Sequence, residues 1–398
     1  MAGGALLALA FLFLLLLPRP NPDPFRADAV VNPPFTSLTY GIQTFLWWDE
    51  TAAGLHTAWV RLMNFSHVKQ IFAWEDVEPQ PGDWHFDRAD KMMDIIQQHG
   101  LKVVARLGNS PSWAHPGLTG DRAKGIDVPP DADHMDEWAR FCGTVAERYK
   151  GRISAYQIWN EPNLAREWGQ KPPDAAGYVA LLRPCSEAIR AADPKAILIS
   201  AGLAPTGTYS PDAMPDDLYL QAMYDAKFQG YIDVVGVNAP GYNNPPDLSP
   251  DEAVAKGGQR YFTFRHVEDM RKIMVANGDA ARQMAILEFG WTTDPIHPAY
   301  KWFAVDDQTQ AKYMVGAYQY AKDHWRPWMG LMSAIYIADT TWTKDREEYW
   351  WAITTPDIAR PAFFALANMA KYCGDRVIPE RDPGSPEALG LVTTVPCS

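Results

Sequence analysis

Apolar and polar positions alternate along this chain with two different periods. Short apolar runs of strand length recur at Leu38–Gln43, Val68–Phe72, Lys102–Leu107, Ala155–Trp159, Ile197–Ala201, Val234–Asn238, Met284–Glu288 and Ser333–Ile337. Between them lie longer stretches with helical spacing. One starts at Asp87, presents Met92, Met93 and Ile96 on a single face and stops at Gly100; further stops fall at Gly151, Gly278 and Gly374. The remaining helices are expected near Ala52–Met63, Met135–Lys150, Ala175–Ala192, Asp217–Phe228, Gln259–Ala276, Gln308–His324 and Ala359–Tyr372. Strands that each precede a helix predict an α/β chain folded as a closed (β/α)8 TIM barrel, because parallel neighbours need a crossover. An open doubly wound sheet is the alternative, but the glycine-rich phosphate turn that usually follows its first strand is missing.

The connections differ in length according to direction. Those entering strands are short, whereas those leaving them are long: Gly108–Asp133, Gly202–Asp216, Ala239–Gly258 and Phe289–Asp307. In a barrel the long set shares the C-terminal rim, where active sites lie. Residues 34–373 read as one catalytic domain and 374–398 as a Pro- and Gly-punctuated tail, either packed on the barrel or mobile. The first 33 residues differ from both. An apolar run from Ala5 to Leu17 precedes Pro18, Pro20, Pro22 and Pro24, which suits a signal peptide or membrane anchor with a Pro-rich linker better than a full span of ~20 residues. The chain is therefore expected to be secreted or otherwise extracytoplasmic, with membrane association through this segment as one form of export. A monomer is expected.

Composition narrows the class of partner. With 398 residues, 47% apolar and 21% charged, the chain has ample material for a large core, which excludes disordered and fibrous architectures. A formal net charge of −12 with no basic patch argues against nucleic acid. The four cysteines, Cys142, Cys185, Cys373 and Cys397, have no metal-binding spacing. In an exported chain they either pair, with Cys373 and Cys397 stapling the tail, or stay as buried thiols. Asp131, Asp133 and Asp136 lack the glycine and terminal glutamate of a calcium loop and read as a solvated helix start. No phosphate loop, zinc motif or serine elbow occurs, so neither metal nor cofactor is expected.

Two carboxylates stand at strand ends. Glu161 follows the fourth strand in Trp159-Asn160-Glu161-Pro162, and Glu288 closes the seventh in Leu287-Glu288-Phe289-Gly290. Plain strand alternation gives Glu288 the facing of Met284 and Ile286, so it points to the barrel mouth if those two fill the barrel. One protonated and one ionised carboxyl are what glycosidic cleavage requires. A gap of about 5 Å between them means retention through a covalent intermediate, and about 6.5–9.5 Å means inversion.

These residues resemble clan A of the retaining glycoside hydrolases, most closely family 39 and its exopolysaccharide-cleaving relatives. Supporting stretches are Phe72 to Trp84, Asn109 to Ala114 and Arg360 to Phe363, and the likeness covers residues about 38 to 372. It implies a carbohydrate substrate, a β-linked polysaccharide or oligosaccharide, with Glu161 as general acid/base and Glu288 as nucleophile. It also implies Asn160 on the sugar 2-hydroxyl and Tyr242 orienting the nucleophile. Lys69 stands where relatives often carry Arg, Asn238 where many have His, and Tyr336 where Trp is common. These three are read as substrate-binding positions altered in this chain. A non-catalytic carbohydrate-binding barrel and a transglycosylase are the alternatives that the same residues leave open.

The chain holds 16 tryptophans, and 12 fall at or beyond the expected C-terminal ends of strands. Flat aromatic faces on that rim suit pyranose rings, so Trp74, Trp113, Trp291 and Trp342 are expected to bind substrate, with Trp291 and Trp342 as the preferred stacking platforms.

Overall fold

A computed structural model describes residues 30–118, 127–374, 376–386 and 388–390. Residues 1–29 of the expected leader segment, and Cys397, lie outside the described residues. Eight parallel strands close into a barrel in sequence order: β1 (Thr39–Gln43), β2 (His67–Ala73), β3 (Lys102–Gly108), β4 (Ile153–Ile158), β5 (Ile197–Ser200), β6 (Val234–Asn238), β7 (Gln283–Phe289) and β8 (Met329–Ala334). β8 pairs back to β1, Thr39 opposite Leu331. The principal helices outside are α1 (Ala53–Leu62), α2 (Asp87–Gln98), α3 (Met135–Arg148), α4 (Ala175–Ala192), α5 (Asp216–Asp225), α6 (Val267–Ala276), α7 (Asp307–His324) and α8 (Pro361–Asn368).

Helix limits follow local chemistry. Asp174 caps α4 by accepting from Gly177 N at 2.9 Å, and Asp306 caps α7 by accepting from Thr309 N at 2.7 Å. Gly100 and Gly278, at φ 66° and 79°, take the left-handed conformation just past α2 and α6, as expected of helix stops. Gly374 does not end a helix. α8 stops at Asn368, and Gly374 follows Lys371–Cys373, a strand antiparallel to Arg376–Ile378. This hairpin crosses the expected start of the tail at 374 and packs: Lys371 is buried, its ammonium donating to the carbonyls of Leu366, Ala367 and Met369, and Arg381 donates to Leu62 O.

Two apolar layers hold the barrel. Inward residues Val104, Ala155, Ile199, Val234, Ala285, Leu287 and Leu331 fill its lower half. Phe35 plugs the base, its backbone paired with the Gln283 side chain at 3.0 and 2.9 Å. Outward residues, among them Val68, Leu107, Ile158, Val237 and Met332, pack against the helices. A disulfide joins Cys142 on α3 to Cys185 on α4, and Cys373 is also disulfide-bonded, so the reading of free thiols is overturned. Among the described residues no helix is long and apolar enough to cross a membrane.

Candidate active site

The upper half of the barrel interior is polar. Gln43, Lys69, Arg106, Gln157, Asn238 and Ser333 occupy inward positions of β1, β2, β3, β4, β6 and β8. Gln43 Oε1, Arg106 Nε, Gln157 Oε1, Asn238 Oδ1 and Ser333 Oγ are buried there with no hydrogen-bond partner. Buried polar atoms are normally satisfied, so a set of five orphans around one mouth marks a surface made for a polar ligand.

Glu288 reaches this mouth by a different route from plain alternation. Met284 and Ile286 face the helix layer, not the interior, while Ala285 and Leu287 face inward. The β6–β7 register slips by one residue, from Val237 opposite Ile286 to Asn238 opposite Glu288. The extra residue is a bulge that gives Leu287 and Glu288 the same facing and returns Phe289 to the helix layer, where it meets Tyr318. Glu288 Oε1 then accepts from Lys69 Nζ at 2.8 Å, and the same ammonium donates to Leu287 O at 3.1 Å. Burial pushes the Lys69 ammonium down, against the opposing pull of Glu288.

Glu161 is held by two donors, Asn238 Nδ2 at 2.8 Å and Arg166 at 3.1 Å. Asn238 thus hydrogen-bonds one glutamate and is the cross-strand partner of the other, which places both carboxylates at one mouth. Trp159 and Glu161 have φ of 69° and 37°. A left-handed backbone at a Trp and a Glu is strained, and such strain persists where surrounding contacts enforce it. Trp159 is fixed by its indole nitrogen donating to Glu167 O at 2.8 Å, and Asn160 by Gln157 Nε2 donating to its Oδ1 at 3.2 Å. The Arg166 guanidinium is held well above its usual range, first by Glu161. Glu167 beside it is pushed up to about 7 by burial and then by Glu161.

The expected substrate residues divide into two groups. Lys69, Asn160, Asn238 and Tyr336 meet at the mouth. Burial pushes the Tyr336 hydroxyl well above its ordinary value, with Glu288 and then Glu161 adding to the shift. Tyr242 lies instead on the Glu161 side, its hydroxyl 3.4 Å from Pro205 O, so Tyr336 is the tyrosine beside Glu288. Trp113 is half-buried and donates to Glu78 O. The other tryptophans are corrected by their burial. Trp74 has no exposed face, donates to Glu78 Oε2 and stacks on Phe141. Trp291 is equally enclosed, donates to Asn244 O and lies against Gly241, where a Cβ would come within 2.0 Å of the indole. Trp342 is buried edge-on between Phe45 and Tyr336. A stacking platform needs an open face, and these three lack one. Sequence reasoning missed Gln43, Arg106, Gln157 and Ser333; their inward register on neighbouring strands was the available signal.

With this geometry in view, the chain can be compared with known proteins. A glycoside hydrolase family 42 model, described as beta-galactosidase, matches residues 44–119. Beta-galactosidase BbgII of Bifidobacterium bifidum is 29% identical over 130 residues, 29% of this chain and 18% of that protein. Endo-1,4-beta-xylanase 2 of Claviceps purpurea is 29% identical over 93 residues, 22% of this chain and 25% of that protein. The chain thus matches no more than about a quarter of the length of these curated relatives. Among solved structures, a family 39 glycoside hydrolase from Bacteroides cellulosilyticus WH2 superposes with a TM-score of 0.63 at 18% identity, covering 85% of this chain and 64% of that one. A GH10 endoxylanase from a sugarcane soil metagenome gives 0.56 at 19% identity, covering 84% and 97%. In barrel, matching segment and strand-end glutamates, the chain is similar to the clan A glycoside hydrolases, as its Asn160-Glu161-Pro162 and Glu288 elements imply.

Proposed function

We propose that the protein is a retaining glycoside hydrolase acting on a β-linked polysaccharide or oligosaccharide. The observation that carries this reading is the convergence of two differently held glutamates on one polar mouth: Glu288 on Lys69, Glu161 on Asn238 and Arg166. Glu288 attacks the anomeric carbon and forms a glycosyl ester as the glycosidic bond breaks, while Glu161 gives its proton to the departing oxygen. Water then attacks the ester, Glu161 takes the water's proton, and Glu288 leaves as a carboxylate. Asn160, whose Oδ1 is engaged by Gln157, has its amide Nδ2 available to the sugar 2-hydroxyl. The unpartnered atoms of Gln43, Arg106 and Ser333 suit further hydroxyls. Two carboxylates and water complete the reaction, so it needs no cofactor. Export remains part of the proposal, and the Cys142–Cys185 bridge suits an oxidising compartment.

The test is turnover of a panel of polysaccharides and aryl glycosides, with anomeric products followed by NMR. Glu288→Gln and Glu161→Gln should each abolish most turnover at an unchanged unfolding midpoint, and the first product should keep the β-configuration. Full activity in either variant sinks the assignment, and an inverted product sinks the covalent intermediate.

A further inference from the structure

Outside Glu161 the rim opens into a cavity of about 510 Å3 lined by Arg166, Thr206, Asp212 and Tyr242. This is the side from which the acid/base delivers its proton, so the departing part of the substrate lies here. The wall formed by Tyr242 does not end at the cavity. Its ring packs 4.1 Å from Phe262, which lies 5.3 Å from Trp302, and Tyr242 and Trp302 are 6.1 Å apart at 35°. Unlike Trp74, Trp291 and Trp342, Trp302 is 54% exposed. Its indole is nevertheless fixed, with Nε1 donating to Ala299 O at 3.0 Å and Phe303 packed behind it. A fixed, half-exposed indole in ring contact with the Tyr242 wall of this cavity offers an aromatic surface on which a sugar ring can stack.

We propose that Trp302 is a stacking subsite for an uncharged pyranose on the leaving-group side, beyond the sugar that meets Glu161. The natural leaving group is then an oligosaccharide rather than a single sugar or small alcohol. Charge supports an uncharged ring: Asp212 and Glu161 line the approach, and Arg166 is already paired with Glu161 and Glu167. The proposal rests on the glycosidase reading, and its test separates the two.

Trp302→Ala and Trp302→Tyr are compared with wild type on the best-cleaved polysaccharide and on an aryl glycoside too short to reach Trp302. In Trp302→Ala the polysaccharide KM should rise about tenfold, at least fivefold more than any change on the aryl glycoside, and Trp302→Tyr should recover most of it. Parallel losses on both substrates, or a polysaccharide KM within twofold of wild type, overturn the proposal. Electrophoretic retardation in gels containing xylan, β-glucan or galactomannan reads binding without turnover. Weaker retardation of Trp302→Ala supports the subsite even if nothing is cleaved, in which case the glycosidase reading alone fails. Equal retardation of both proteins, or none for wild type in any gel, overturns it.

Discussion

Replacing Lys69 by Met tests how Glu288, the proposed nucleophile, is held. Lys69 is 1% exposed, and its ammonium bridges Glu288 Oε1 and Leu287 O at 2.8 and 3.1 Å. Met keeps the bulk and removes the charge, leaving Glu288 without its cation. Breaking a buried ion pair from one side costs about 3–5 kcal/mol. Glu288 keeps 15% of its side chain exposed, so water recovers part of this and the lower end, about 3 kcal/mol, applies. If that loss falls on the attacking geometry, it corresponds to about a hundredfold in kcat/KM, similar to the effect of an ~1 Å displacement of a reacting group. Lys69→Arg restores a cation but needs more room, so it should fall between Met and wild type. The assay is initial rate on an aryl glycoside, with thermal unfolding measured in parallel. A Lys69→Met protein within tenfold of wild type would refute the view that this contact positions Glu288.

Three further outcomes follow from the same contacts. Cys142→Ala with Cys185→Ala opens a bridge across a sequence separation of 43 residues and should lower stability by about 4 kcal/mol in chemical denaturation, whereas an unchanged midpoint would mean that the bridge constrains nothing. Burial alone would lower the His266 pKa, but Asp216 and Asp269 outweigh it and carry it up to about 10. Its stabilising contribution is therefore complete below about 6.5 and lost as pH rises through about 10; denaturation midpoints of His266→Gln should lack that alkaline slope. Trp291→Ala should act as a core truncation and cost about 3–5 kcal/mol, so a variant with normal stability and weakened substrate binding would contradict its burial.

Much of the barrel was legible because strand and helix periods differ. Six of the eight strands lie within one residue of their expected limits at each end. The last is expected at Ser333–Ile337 and found at Met329–Ala334. There a mostly apolar run extends from Trp328 to Ile337, interrupted by Gly330 and Ser333, so the pattern does not mark where the sheet ends. The helix expected at Gln259–Ala276 is regular only from Val267, because Phe262 and Phe264 leave the helical period to pack with Tyr242, Trp302 and Trp325. Glu161, Glu288, Lys69 and Asn238, singled out by motif position, are linked by contacts at the mouth. Facing was another matter: the bulge that aims Glu288 leaves no trace in residue type. The tryptophans failed for a related reason. A rim location tells which loops carry them, and most of these indoles brace the loops from within, leaving Trp302 and Trp48 as the half-exposed ones.

The irregularity in β7 makes this site depend on backbone register as much as on chemistry. Every atom of Glu288 would survive a straightening of β7 at unchanged length, yet even alternation from Ile286 would then turn its carboxylate towards Phe264 and Tyr318, away from Lys69. The register shift between Val237 and Asn238 therefore decides whether this strand presents Glu288 to the mouth or to the helix layer. Point-substitution scans would not reveal that dependence; deletion of Leu287, which removes the extra residue and lets regular alternation carry Glu288 inward, would.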